Sequence, residues 1–225
     1  ERGSTADLQI IRGSTQLSIA VTRGRIPVSS VDASYMIDKS TGYIKLNKFT
    51  ENSYEEFMQA MENLLKQGMQ SLIYDLRGNG GGFMNEAVDM ADEFLDGDKL
   101  IVYTAGVNNK KKEYRCKRPG LFEKGKLVLL VDELSASASE VLAGALQDWC
   151  RATIIGRRTF GKGLVQEQYP LSDGSAIRLT VARYYSPLGR SIQRSYENGK
   201  KVYMDELWER FNSGELLSAD SIRLH

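Results

Sequence analysis

The chain has 225 residues, 41% of them hydrophobic, which is enough for one sizeable core. Thirty lysines and arginines stand against 29 acids, a formal charge of +1, so composition gives no general attraction to nucleic acid or to an anionic membrane. No apolar run is long enough for a transmembrane helix, and two cysteines exclude a disulfide framework.

Leu8–Arg12 and Gln16–Arg23 predict a β-hairpin that turns near Gly13-Ser14, followed by Arg25-Ile26-Pro27-Val28. Ser34–Ile37 and Gly42–Phe49 read as strands. Ser53 opens a helix, with Glu56 three residues on as a capping box. Tyr54, Phe57, Met58, Met61, Leu64 and Leu65 recur at helical spacing, and Gly68 supplies the stop. The stripe reads as a core-facing surface rather than a partner groove. Leu72–Leu76 is a strand too apolar to have one exposed face. A glycine-rich stretch follows, then a helix over Asn85–Leu95 that ends before Gly97, and a short strand over Leu100–Tyr103. Residues 104–125 read as irregular. Their cations, Lys110, Lys111, Lys112, Arg115, Lys117 and Arg118, read as a solvated loop, because Tyr114 is the one aromatic interleaved with them.

Strand, turn, helix and strand recur from Lys126 to Gly156. Leu164–Tyr169 and Ser175–Arg183 form a second hairpin about Asp173-Gly174, with Ile177, Leu179 and Val181 alternating with Arg178 and Thr180. Beyond Gly189 the pattern loosens into one short helix, Tyr203–Phe211, and a polar end. Strands alternating with helices give the α/β class. Cys116 and Cys150 read as unpaired thiols. With His225 as the single histidine they make a poor zinc set, so no metal or cofactor is expected.

Two stretches carry the chemistry. Ser135-Ala136-Ser137-Ala138-Ser139-Glu140 lies between a strand and a buried helix, where unpaired N–H groups and the positive end of the helix dipole point. Phe160-Gly161-Lys162-Gly163 sets a lysine between glycines that let the backbone approach closely and draw it inside. A terminal His225 is a poor catalytic base, so a nucleophilic serine needs another, and lysine is the known substitute. The residues alone do not choose among Ser135, Ser137 and Ser139, which could all simply cap the helix. Lys162 could equally be a surface lysine in a glycine turn.

These two stretches, together with Asp75-Leu76-Arg77-Gly78-Asn79-Gly80-Gly81-Gly82, Ala143-Gly144-Ala145-Leu146-Gln147-Asp148, Asp173-Gly174-Ser175 and Ala182-Arg183-Tyr184, resemble the C-terminal processing peptidases, or tail-specific proteases. The resemblance runs from Ile26 to Gly189. It implies a crotonase-like (ββα-type) protease core over residues 29–225 and, over residues 1–28, a β-hairpin left from a PDZ domain whose remainder is missing. It implies Ser137 as nucleophile, Lys162 as general base, Gln166 as the residue that orients the lysine, and the amides of Gly82 and Ala138 as an oxyanion hole. It also implies protein substrates engaged through apolar C-terminal tails, a location in the bacterial cell envelope and a possible homo-oligomer. A neutral lysine base calls for burial away from carboxylates. Residues 162 and 166 would lie about 13 Å apart in an ideal strand, so the chain must bend, and Gly163 could allow it.

Two rival motifs fail mechanically. Gly156 to Lys162 nearly spells a phosphate-binding P-loop, but Gly163 stands where a magnesium-binding hydroxyl belongs, and a hairpin follows where a helix should. Gly78 to Phe83 resembles a dinucleotide loop whose last glycine is replaced by Phe83. A non-catalytic domain that binds tails by strand addition is the remaining alternative.

Overall fold

The computed structural model describes residues 1–24 and 29–224, so the stretch Arg25-Ile26-Pro27-Val28 and the terminal His225 lie outside the described residues. The first hairpin pairs β1 (Thr5–Arg12) with β2 (Thr15–Thr22) around the two-residue turn Gly13-Ser14, with Gly13 at φ 65°. Both of its faces are largely exposed.

The rest is a mixed α/β fold. A six-stranded sheet has the order β12-β9-β8-β5-β4-β3. Its centre is parallel: β4 (Thr41–Leu46), β5 (Ser71–Asp75), β8 (Lys126–Val131) and β9 (Thr153–Gly156). Antiparallel β3 (Val31–Met36) and β12 (Arg223–Leu224) close its two edges. The crossovers carry helices α1 (Ser53–Lys66), α2 (Met84–Asp92) and α3 (Ala138–Asp148). Parallel strands covered in this way read as nearly continuous apolar runs, and Leu72, Tyr74, Leu127, Leu129 and Val131 are buried. Phe57 of α1 packs at 5.3 Å from Tyr74 and 5.8 Å from Phe94, joining α1 to the sheet and to the end of α2. A second, antiparallel sheet has the order β10-β11-β6-β7, built from β6 (Leu100–Ala105), β7 (Lys112–Arg115), β10 (Leu164–Pro170) and β11 (Ala176–Tyr185).

The predicted stripe of α1 faces the core, and the helix stops as its glycine requires. Gly68 takes φ 95°, while its N–H and that of Met69 bond back to the carbonyls of Leu65 and Leu64. The capping box expected at Ser53 and Glu56 does not form. Glu56 accepts from the Ser29 hydroxyl and the Ser30 and Val31 amides, bracing the start of β3, and Ser53 Oγ donates to the Thr50 carbonyl and Glu86. Helix α2 ends at Asp92, earlier than predicted, because the Glu93 and Phe94 amides tighten into shorter turns. Residues 104–125 are not wholly irregular, since β7 pairs with β6 there as a short, lysine-bearing edge strand. The last helix, α4, is longer than predicted, at Gly199–Asn212. In the second hairpin Ile177 and Leu179 keep their alternation yet stay 46% and 49% exposed, so the ribbon projects from the core. Both thiols are free; burial and Asp92 push Cys116 up to about 12.

Asp75, at the end of β5, sets how the glycine-rich segment leaves the sheet. Its side chain is fully buried, and it accepts from Tyr43 Oη at 2.7 Å and from the Arg77 guanidinium and amide. Burial alone would raise its carboxyl, but the Arg77 and Tyr43 hydrogen bonds outweigh burial and hold it below the ordinary range. A depressed carboxyl stabilises the fold fully above the unfolded value of about 3.9, and that contribution is lost as pH falls through the native value. Arg77→Ala leaves a buried carboxylate short of donors and should cost about 1–3 kcal/mol near neutral pH. Thermal melts from pH 7 to 2 should show the gap between wild type and variant shrinking at the acid end. A gap independent of pH would count against this role for Asp75.

Candidate active site

The strand β8 ends in a tight turn, Asp132–Ser135, and α3 begins at Ala138. Between them Ser137 takes φ 57° and ψ −112°, one of two non-glycine residues at positive φ among the described residues. Such a conformation costs about 1–3 kcal/mol and persists only where its surroundings over-determine it. A strained serine on a strand-to-helix turn is the geometry that exposes a nucleophilic hydroxyl.

The surroundings separate the three serines of the motif. Ser135 and Ser139 are fully buried, and their hydroxyls donate to the carbonyls of Leu76 at 2.8 Å and Asn79 at 2.9 Å. Both therefore clamp the glycine-rich segment. Ser137 is only partly buried and lines a cleft of about 510 Å³ with Gly82, Lys162 and Gln166. Asn79, buried and without a role in the sequence reading, completes the clamp. Its carbonyl accepts the Ala136 amide, its side chain donates to the Leu46 carbonyl at 3.0 Å, and its Oδ1 accepts the Gly81 amide at 2.9 Å.

This clamp presses the glycines against the serine turn. A Cβ on Gly81 would stand 2.8 Å from Ser137 Cβ and 2.9 Å from the Ala138 nitrogen. Gly82, at φ 152°, would set a Cβ 1.9 Å from the Phe49 carbonyl oxygen, so only glycine fits. The N–H groups of Gly82 and Ala138 find no protein acceptor among the described residues. Ala138 is the first residue of α3, where no carbonyl of the preceding turn is in place to receive its N–H.

Glu140 binds the lysine segment to this turn. It is 5% exposed, and its carboxylate accepts four donors: the Ser137 amide at 2.8 Å, the Lys162 amide at 2.8 Å, the Gly161 amide at 2.6 Å and the Thr159 hydroxyl at 2.7 Å. The Phe160 amide adds a bond to the Ser135 carbonyl. Glu140 stood inside the motif read from the sequence, but its partners some twenty residues on gave no local signal.

The expected burial of Lys162 is corrected. Its side chain is exposed: the inward contacts of this segment are made by backbone, the Lys162 amide to Glu140 and Gly163 against Gln193, and the lysine side chain is left lining the open cleft. Gln166 is exposed as well. It lies just past a bulge between Val165 and Gln166, and β10 begins only at Leu164, so Lys162 and Gln166 do not sit on one ideal strand. Gly163 packs with its Cα against the Gln193 amide, where a Cβ would come to 2.3 Å. Ser137, Lys162 and Gln166 share the cleft, and no hydrogen bond among the described residues joins them to one another.

The fold is that of solved processing proteases. The chain matches the structure of a photosystem II D1 C-terminal processing protease with a TM-score of 0.66 and 34% identity, covering 85% of this chain and 53% of that one. The profile of peptidase family S41 matches residues 40–199, and the chain belongs to this family. It is 37% identical over 198 residues to a carboxyl-terminal-processing protease of Synechocystis sp., covering 86% of this chain and 46% of the relative. It is 35% identical over 199 residues to the carboxy-terminal processing protease CtpB of Bacillus subtilis, covering 86% and 41%. The chain thus spans about half the length of the curated relatives it matches or less.

If Glu140 positions both segments, Glu140→Gln should keep the far-UV spectrum of the fold, because the amide still accepts some of these bonds. Peptidase kcat should fall at least about ten-fold with KM little changed, since misplacement by about 1 Å can cost more than that. A matching rise in KM with kcat intact would assign Glu140 to substrate binding instead.

Proposed function

We propose that residues 29–225 form the catalytic core of a serine endopeptidase that works through a Ser–Lys dyad, on a crotonase-like architecture. The observation that carries this reading is the strained Ser137 beside two unpaired backbone amides in an open cleft. Lys162 takes the proton from Ser137 Oγ as that oxygen attacks the scissile carbonyl carbon, once its amine, exposed in the free chain, has turned into the cleft and is covered by bound substrate. The Gly82 and Ala138 amides donate to the oxyanion that forms. Collapse of the tetrahedral intermediate breaks the C–N bond, and the leaving amine takes the proton back from the Lys162 ammonium. Water then attacks the acyl-Ser137 ester, with Lys162 again accepting the proton, and the free serine returns. Gln166 orients Lys162. The lysine has no ion pair among the described residues and is exposed, so Nζ can swing to Ser137 without breaking one. Catalytic hydrogen bonds often tighten only in the complex.

The substrates are proteins engaged near their C-terminal ends, in keeping with the relatives' names; apolar tails and a bacterial cell-envelope setting rest on the family resemblance of the sequence. We read the hairpin β1–β2 as part of a PDZ-type module, a reading supported by its place just before the protease core. A domain that only bound tails would leave the strained serine and the unpaired amides without a use.

Ser137→Ala and Lys162→Ala should each lower peptide cleavage by at least about 10³-fold with the fold intact, and the double variant should be no worse than either single one. Multiplying losses in the double variant would mean that the two side chains do not act as a unit.

A further inference from the structure

Apart from the base Lys162, the charged side chains lining the Ser137 cleft are Lys48 and Arg178, both cations, and no aspartate or glutamate lines it. The chain as a whole is balanced, so this is a local bias. Several other arginines are neutralised where they stand: Arg77, Arg115, Arg118, Arg190, Arg194 and Arg210 are among those that meet a carboxylate. Lys48 and Arg178 form no ion pair among the described residues. The one hydrogen bond from the Arg178 guanidinium goes to the neutral Gln168 side chain at 3.2 Å, which leaves most of its fork unused.

The two cations come from different walls. Lys48 follows β4 and precedes Phe49, whose backbone bridges to Gly82. Arg178 lies on β11 directly opposite Gln168 of β10, while Gln166 stands opposite Thr180. Gln166 and Gln168 share a face, so Arg178 sits two residues, about 7 Å, further out along the ribbon than Gln166. A guanidinium fork matches a carboxylate, and a cleft lined by one sign focuses its field on an incoming ligand.

We propose that Lys48 and Arg178 make this cleft selective for polypeptides that carry a carboxylate within a few residues of the bond to be cut. The proposal rests on the reading of Ser137 as nucleophile. The carboxylate is either the free end of a chain or an internal Asp or Glu.

The test uses one apolar peptide sequence in four forms: with a free carboxyl end a few residues beyond the scissile bond, with that end amidated, amidated with a glutamate at the same distance, and amidated with a lysine there. For the wild-type chain, kcat/KM should be roughly five-fold higher for a carboxylate form than for the neutral amidated form, a difference of about 1 kcal/mol for an exposed charge pair, and lowest for the lysine form. A preference for the free end alone assigns the site to chain termini; equal preference for the glutamate form assigns it to any carboxylate. In Lys48→Gln/Arg178→Gln the ratio of carboxylate to neutral form should fall to about one. In the wild type it should also shrink between about 0.05 M and 0.5 M salt, as screening shortens. Equal cleavage of all four forms by the wild type, or a preference that survives the double substitution, overturns the proposal. Should no peptide be cut at all, the nucleophile assignment is what fails. Binding of the same four peptides to Ser137→Ala, with and without the double substitution, then decides the carboxylate preference by the same ratios.

Discussion

One buried carboxylate holds the two halves of the site together. Glu140 receives amides from the serine turn and from the lysine segment, plus the Thr159 hydroxyl, so its oxygens are saturated by four donors. A buried ionised group is costly without such bonds, and their loss would leave the charge uncompensated. Together with the Phe160 amide's bond to the Ser135 carbonyl, these bonds hold residues 159–162 against residues 135–140. Most of the bonds that bring Ser137 and Lys162 to one cleft run through this single side chain.

A second set of bonds holds the strain at Ser137. Ser135, Ser139, Asn79 and the Ala136 amide lock the serine turn onto the glycine-rich segment from both sides. Asp75 and Arg77 fix where that segment leaves the sheet. The strain energy at Ser137 is of the same order as a few buried hydrogen bonds, and the clamp supplies several. Beside this clamp the Gly82 and Ala138 amides have no internal acceptor among the described residues.

Much of the framework was legible in the sequence. The central strands announce themselves as apolar runs, Gly68 marks a helix stop by its φ, and Gly13-Ser14 and Gly174 mark turns. The site was legible only as candidates. On the residues alone three serines looked alike and only the family resemblance pointed to Ser137; in the fold the hydroxyls of the other two bond to the glycine-rich segment. The pattern Ser-x-x-Glu occurs at Ser53–Glu56 and again at Ser137–Glu140, and local reading favoured the first. In the fold Glu56 turns away to brace β3, while Glu140 does reach back to the Ser137 amide. Strand β7 was missed because a four-residue edge strand rich in charge carries no apolar alternation. Burial of Lys162 was expected from the glycines beside it, which bring its backbone close to Gln193 and Arg194 but leave its side chain outside.

The most direct test of the account is where a fluorophosphonate attaches. Treated with such a probe and mapped by peptide mass spectrometry, the intact chain should carry a single adduct on Ser137. That adduct should vanish in Lys162→Ala, since the serine is then without its base. An adduct on Ser135 or Ser139, or an undiminished adduct on Ser137 in the Lys162 variant, would contradict it.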